Sequence, residues 1–465
     1  MRPVLIFVSA LCLLCAAFAA APLSAQPLSA SAQQPALTLA QAWRLALQND
    51  ATYHAAISER KAGETNRAIG RSGLLPQINA SLGRSKVRGT LELPGPCGPH
   101  CNDLDYTSRV DEIKLSQVLF NWSRIAEYRQ GHARADYSLA VFDIKAADTS
   151  IRLINRYFQT LLSYENVVLA KSRLKANEKQ IIVAQRRYEG GEGTIIDVRE
   201  SKSRRDLSRA DVINAEDILI VARRELQEML GSSPQRLTTL KRDFQPQPVS
   251  SPNQNIWQTK ARADNAEIRS AQLSVQISDY EIDRAFGGHL PTVDLVAARR
   301  KVVGETISTR LQNSTVSSFG VQIAVPIFSG GLTSAQVTQA RHNKDRAALE
   351  LAAVQEGVAV EVTRQYQAVV SGARRIDALV TAVESTAAAL GAIEMGYQAG
   401  TRTIVDILDA EDQLFRAKLD LTQARLEYVL ARLTLYAAAD SLDAAAIDAI
   451  DKTYFGPEQV VLSGE

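Results

Sequence analysis

Proline is absent between Pro99 and Pro234, and again between Pro326 and Pro457. A proline inside a helix costs about 3 kcal/mol, so two gaps of about 130 residues each are what continuous helices of unusual length require. The first gap predicts a helix from Ser123 to Tyr188, the second one from Leu332 to Tyr397. Each would be roughly 100 Å long at 1.5 Å per residue. Rods of that length cannot wrap a single compact core and must lie side by side as coiled-coil elements. The low aromatic content, 6%, suits close packing of small side chains.

The chain is written twice. "NDATYHAA" from Asn49 is echoed by "DNAEIRSA" from Asp264, and "LPQINA" from Leu75 by "LPTVDL" from Leu290. "VLFNWS" from Val118 is echoed by "PIFSGG" from Pro326, and "YEGGEGTIIDVRESKS" from Tyr188 by "YQAGTRTIVDILDAED" from Tyr397. The offset stays near 210 residues throughout, as in a tandem duplication. A first repeat at 37–231 and a second at 257–440 are expected, separated by a Pro-rich join at 232–256 and followed by a C-terminal tail at 441–465. Each repeat reads helix, strand, strand, very long helix, tip loop, long helix. The hairpins fall at 76–120 and 290–328, the tips at 189–194 and 398–402.

The strands alternate as membrane strands do. In "SSFGVQIAVPIF", Phe319, Val321, Ile323, Val325 and Ile327 alternate with smaller or polar residues. A transmembrane strand needs about 9–11 residues. Four such strands cannot close a barrel, since the smallest membrane barrels use eight, and an open edge in lipid strands backbone polar groups. The strands therefore come from several chains or form a soluble sheet. Three chains would supply twelve strands.

The last long helix carries two apolar seams. Ile407, Ala410, Leu414, Ala417, Leu421 and Ala424 form one, and Ile404, Leu408, Phe415, Leu419, Leu426, Leu430 and Leu433 the other. One heptad seam makes a dimer; two let a helix pack against a neighbour on each side, the pattern of a ring of helices.

The N-terminus, "MRPVLIFVSALCLLCAAFAAAPLSAQ", reads as a secretory signal peptide over 1–25, cleaved near Ala25 or Ala21. Cys12 and Cys15 both follow Leu, where a lipid-anchoring signal needs a small residue. No later run is expected to reach the roughly 18 apolar residues of a spanning helix, so strands are the expected route into a membrane. Cys97 and Cys101, in a Pro/Gly-rich loop with His100, favour a small disulfide over a metal site in an exported chain. Charges nearly cancel, 53 Lys+Arg against 51 Asp+Glu, which argues against nucleic acid as a partner. There is no GxxxxGK phosphate loop, and the five histidines are scattered. No cofactor, metal or enzymatic activity is expected.

The duplicated plan, the Leu75–Pro76 and Leu290–Pro291 strand openings, "VPIFSGG" and above all "GTRTIVDILDAED" resemble the TolC family of outer-membrane channel-tunnels. The resemblance covers about Leu37 to Asp440. It implies a mainly helical fold with membrane strands: a homotrimer whose strands complete one 12-stranded barrel in the outer membrane of a Gram-negative bacterium. Its helices would form a periplasmic tunnel with an iris-like entrance. Implied partners are a periplasmic adaptor, an inner-membrane ABC exporter or proton-driven pump, and outer-membrane lipid. The absent lipid anchor and the form of the motif favour type I protein secretion; multidrug efflux is the alternative within the family. A soluble periplasmic coiled-coil scaffold is the alternative outside it.

By the same resemblance, Tyr397 and Arg402 latch the closed entrance to Asp197. Asp406 and Asp409 form acidic rings, with Glu200 at the position aligned to Asp409 in the first repeat. Gly190, Gly191, Gly400 and Thr401 lie at the adaptor-docking tips. The plainer alternatives are helix-dipole complementation for the two aspartates and a capped, solvated hairpin for Tyr397 and Arg402.

Overall fold

The second proline-free tract is helical over most of its length, and the first is helical from Trp122 to Leu230 apart from the tip, after the strand Asp103–Phe120. The computed structural model describes residues 36–90, 103–249, 251, 253–304 and 313–462. The expected signal peptide and Cys97–Cys101 lie outside the described residues. In chain order the elements are α1 (Leu39–Asn49), α2 (Ala51–Glu64), α3 (Asn66–Ser72), β1 (Gln77–Thr90), β2 (Asp103–Phe120), α4 (Trp122–Glu189), α5 (Ile195–Leu230) and β3 (Arg236–Leu240). There follow α6 (Gln254–Asp264), α7 (Ala266–Phe286), β4 (Thr292–Gly304), β5 (Ser314–Ala324), α8 (Leu332–Gln398), α9 (Ile404–Ala438), α10 (Ala444–Tyr454) and β6 (Phe455–Val461). α4 has 68 residues and α8 has 67, so each is about 100 Å long.

The four long strands form one antiparallel sheet in the order β1–β2–β4–β5. The helices repeat that order because each hairpin ties its flanking helices together. Near the sheet, α2 and α3 pack on one side of α4 and α7 on the other, with α8 beyond α7. At the far end α5 and α9 flank α4, with α8 beyond α9. The result is a layer four elements wide whose outer members are β1 and β5, α2/α3 or α5, and α8. β1 and β5 each have a single strand partner among the described residues.

α3 crosses α4 at glycine. Gly131 lies so close to α3 that a methyl group there would meet the Asn66 carbonyl oxygen at 2.6 Å. At mid-length, α1, α10 and a small β3–β6 sheet pack around α4, α5 and α9. The core there includes Leu39, Tyr157, Leu161, Leu226, Leu237, Tyr428, Val429, Tyr454 and Phe455. The buried Tyr157 hydroxyl lies 2.8 Å from the Thr238 carbonyl and 3.0 Å from that of Leu37. The sequence reading gave no structure to the join or the tail, yet each supplies one strand of this sheet. Their partners are more than 200 residues apart, beyond the reach of periodicity.

α8 also departs from expectation. It contains an 18-residue window of mean hydropathy 1.5 that passes for a membrane span by composition, and only 6% of that window is buried. Alanine-rich helix interrupted by few charges reaches this value without an unbroken apolar run.

Candidate functional site

The two helical tips are the same loop built twice. α4 ends at Gly190 and α8 at Ala399, both in the helical region, and each is followed by a left-handed glycine, Gly191 (φ +78°) and Gly400 (φ +77°). A β-carbon at either position would meet nothing within 4 Å, so the glycine is required by backbone conformation and not by space. The next helix opens on a threonine. Thr194 accepts from the Asp197 N–H while Asp197 accepts from the Thr194 N–H; Thr403 and Asp406 do the same. These reciprocal caps satisfy otherwise orphaned helix donors. The Thr403 N–H and hydroxyl, helped by nearby Arg402, hold the Asp406 carboxyl below the usual range.

Behind the tips, ion pairs join the first helical pair to the second. Arg204 on α5 reaches Asp409 at 3.0 Å and Asp412 at 3.4 Å on α9, and also holds Glu200 on its own helix at 3.1 Å. Arg173 on α4 reaches Asp412 at 2.6 Å and Asp211 on α5 at 2.9 Å. Arg187, on the last turn of α4, lies 4.5 Å from the centre of the Tyr397 ring and is hydrogen-bonded to the tyrosine, which raises its pKa. Between these contacts sits Glu411, half-buried, accepting at 3.5 Å from Gln180. Burial, reinforced by Glu394 and Asp412, pushes its carboxyl up.

The expected latch is therefore arranged differently within one chain. No hydrogen bond or ion pair joins Arg402 or Tyr397 to Asp197 among the described residues. Asp197 is committed to its cap, Tyr397 stacks under Arg187, and the exposed Arg402 folds back along Gly396. Asp409 points to Arg204 and Glu200 accepts from it, while Asp406 caps its own helix. Gly190, Gly191, Gly400 and Thr401 form the exposed tips, and the Thr401 hydroxyl donates to the Gly396 carbonyl at 3.0 Å. Sequence reasoning missed Arg173, Arg187, Arg204 and Asp412. Their partners, apart from Glu192, Glu200 and Asp211, lie on the other repeat, and only the Glu200–Arg204 spacing of four carries a local signal.

The chain matches the outer membrane efflux protein family over residues 42–232 and 257–440. The chain belongs to that family. It is thus an outer-membrane protein of the TolC type that extends into the periplasm, the exit duct of a tripartite export system. It is 31% identical over 91% of its length to the alkaline protease secretion protein AprF of Pseudomonas aeruginosa, covering 88% of that protein. It is 32% identical over 88% of its length to the proteases secretion protein PrtF of Dickeya chrysanthemi, covering 89% of it. Its fold is similar to that of the CmeC outer membrane channel of Campylobacter jejuni, with a TM-score of 0.75, 16% identity and 89% of each chain covered.

Proposed function

We propose that three copies of this chain form the exit duct of a type I secretion system and pass a protein cargo, of the protease kind, across the outer membrane. The single observation that carries the assembly is the four-wide layer with two bare edges. In lipid, the unpaired backbone of β1 and β5 would cost several kcal/mol per group, which pairing β5 of one copy with β1 of the next removes. Three copies give twelve strands, within the range of membrane barrels. The same step places the exposed apolar stretch of α8 against a neighbour. The cargo follows from the relatives named for protease secretion.

In this reading the runs at 37–231 and 257–440 are two copies of one unit, and the tips at Gly190–Gly191 and Gly400–Thr401 dock the adaptor. Arg402, exposed at the tip, would latch to Asp197 of a neighbouring copy, a charge-assisted bond suited to a breakable latch. Asp406 and Asp409 would line the entrance as rings that favour cations.

Three measurements test this. Purified protein in a planar bilayer should give single-channel conductance, and its mass in detergent should be that of a trimer. In cells, loss of the gene should abolish secretion of the partner exporter's protein cargo. Extraction as a soluble monomer without detergent, or secretion that persists unchanged, would reject it.

A further inference from the structure

The register of the sheet places a contour on its lipid-side face where apolar residues give way to cations. One face carries Ile78, Ala80 and Leu82 of β1, Ile113 and Leu115 of β2, Val293, Leu295 and Ala297 of β4, and Phe319, Val321 and Ile323 of β5. The opposite face at the same rows carries Asn79, Lys114, Glu112, Asp294, Arg300 and Gln322. In a membrane barrel the apolar face meets lipid and the polar face lines the interior.

Followed away from the helices, the apolar series ends on adjacent rows in all four strands. Leu82 is followed on that face by Arg84, Ile113 by Asp111 and Arg109, Ala297 by Arg299 and Lys301, and Phe319 by Ser317. The helices extend into the periplasm, so this side of the sheet faces the outer leaflet. Arg109 is held by Asp111 at 3.0 Å. Arg84, Arg299 and Lys301 are exposed and have no ion pair among the described residues.

The pairing makes the imbalance costly. Arg84 sits directly opposite Arg109 across the β1–β2 ladder, and like charges in that relation repel. On the interior face the corresponding cation, Arg300, is set opposite Glu112. On the outward face Asp111 stands opposite Lys301 but is held by Arg109, while Arg84 and Arg299 have no carboxylate opposite them among the described residues, so that face keeps an excess of cations. At the upper border of the apolar band, what lies against it is lipid headgroup.

We propose that Arg84, Arg299 and Lys301, with Arg109 beside them, form an outward basic rim that binds the phosphates of the outer leaflet's phosphorylated glycolipid. This rests on reading the four strands as membrane-spanning. Arginine forks match phosphate oxygens bidentately, and basic side chains at a membrane surface gain about 1 kcal/mol each from anionic headgroups. The rim also fixes the depth of β1, β2 and β4, since the apolar band below it cannot rise into water nor the cations sink into hydrocarbon.

The test uses full-length, delipidated protein. Native mass spectrometry would compare retention of diphosphorylated lipid A with that of the same lipid after removal of its phosphates. The phosphorylated form should be retained in preference. The triple variant Arg84→Gln, Arg299→Gln, Lys301→Gln should bind it on the order of a hundredfold more weakly, at about fivefold per charge, while Arg300→Gln on the interior face should bind as the parent does. Equal retention of both lipids by the parent protein, a comparison that needs no variant, would overturn the rim; so would equal losses in the triple variant and Arg300→Gln. Proteoliposomes washed at alkaline pH separate headgroup binding from membrane insertion. Protein that stays in the vesicles but ignores the phosphates overturns the rim alone, whereas protein that washes off overturns the membrane reading with it.

Discussion

Arg204 on α5 and Asp409 on α9 meet at 3.0 Å, and this pair, with Asp412 at 3.4 Å, fastens the first helical pair to the second. Opening an entrance by swinging α8 and α9 away from α4 and α5 must break it. The pair also sets a charge: Asp409 contributes less to any acidic ring while Arg204 neutralises it. Arg204→Gln should therefore increase both the open population and the cation preference of single channels. Side-chain exposures of 28% and 53% put the pair between exposed and buried bridges, and a shift of about 1.4 kcal/mol would be tenfold in open population. A double-mutant cycle with Asp409→Asn reads the coupling. Independent effects of the two substitutions would reject the fastening.

At the tip itself the ring of Tyr397, rather than its hydroxyl alone, faces Arg187. Tyr397→Phe keeps the stacking and loses one hydrogen bond, whereas Tyr397→Ala loses both. The alanine variant should open the tip further, by about 0.5–1 kcal/mol for an exposed cation–π contact. Trypsin cleavage at Arg186 and Arg187 reports local opening: cleavage should be fastest in Tyr397→Ala and near the parent rate in Tyr397→Phe. Equal acceleration in both would assign the contact to the hydroxyl.

The long helices were legible because proline absence and heptad spacing are local signals. The tip loops were legible because the echo between Gly191 and Gly400 preserves a left-handed glycine and a threonine–aspartate cap. The partners of the charged residues were not. Arg173 to Asp412 and Arg204 to Asp409 span more than 200 residues of chain, and nothing in local spacing fixes which faces of two rods meet. The same holds for β3 and β6, whose pairing sets how the join and the tail fold back on α4.

Glu411 predicts a pH dependence. Burial raises its folded pKa above the usual 4.5, against a hydrogen bond from Gln180. A raised carboxyl pKa means the fold takes up the proton more readily than the unfolded chain does. Its burial cost is therefore fully present above the folded pKa and is relieved as pH falls through it. Asp406 has the opposite sign. Its lowered pKa contributes stability above about 4 that is lost as pH falls through the folded value. Glu411→Gln should raise thermal stability at pH 8, and the difference from the parent should shrink towards pH 5. A constant difference from pH 8 to pH 5 would show that titration of Glu411 is not its source.

Two glycines on the long helices should respond to alanine in opposite directions. At Gly131 a β-carbon would stand 2.6 Å from the Asn66 carbonyl oxygen and 3.2 Å from the Gly70 α-carbon, both backbone atoms that cannot turn aside. The α3–α4 crossing would have to separate, at a cost of about 1–3 kcal/mol for overpacking. At Gly357 on α8 nothing lies within 4 Å of the added carbon, so Gly357→Ala should instead gain about 0.5–1 kcal/mol of helix propensity. Thermal unfolding followed by circular dichroism should show Gly131→Ala melting below the parent and Gly357→Ala at or above it. If both variants melt early, α8 at Gly357 is itself closely packed in the assembled protein, and the neighbour that packs there would be another copy, because α7 and α9 leave that point open within the chain.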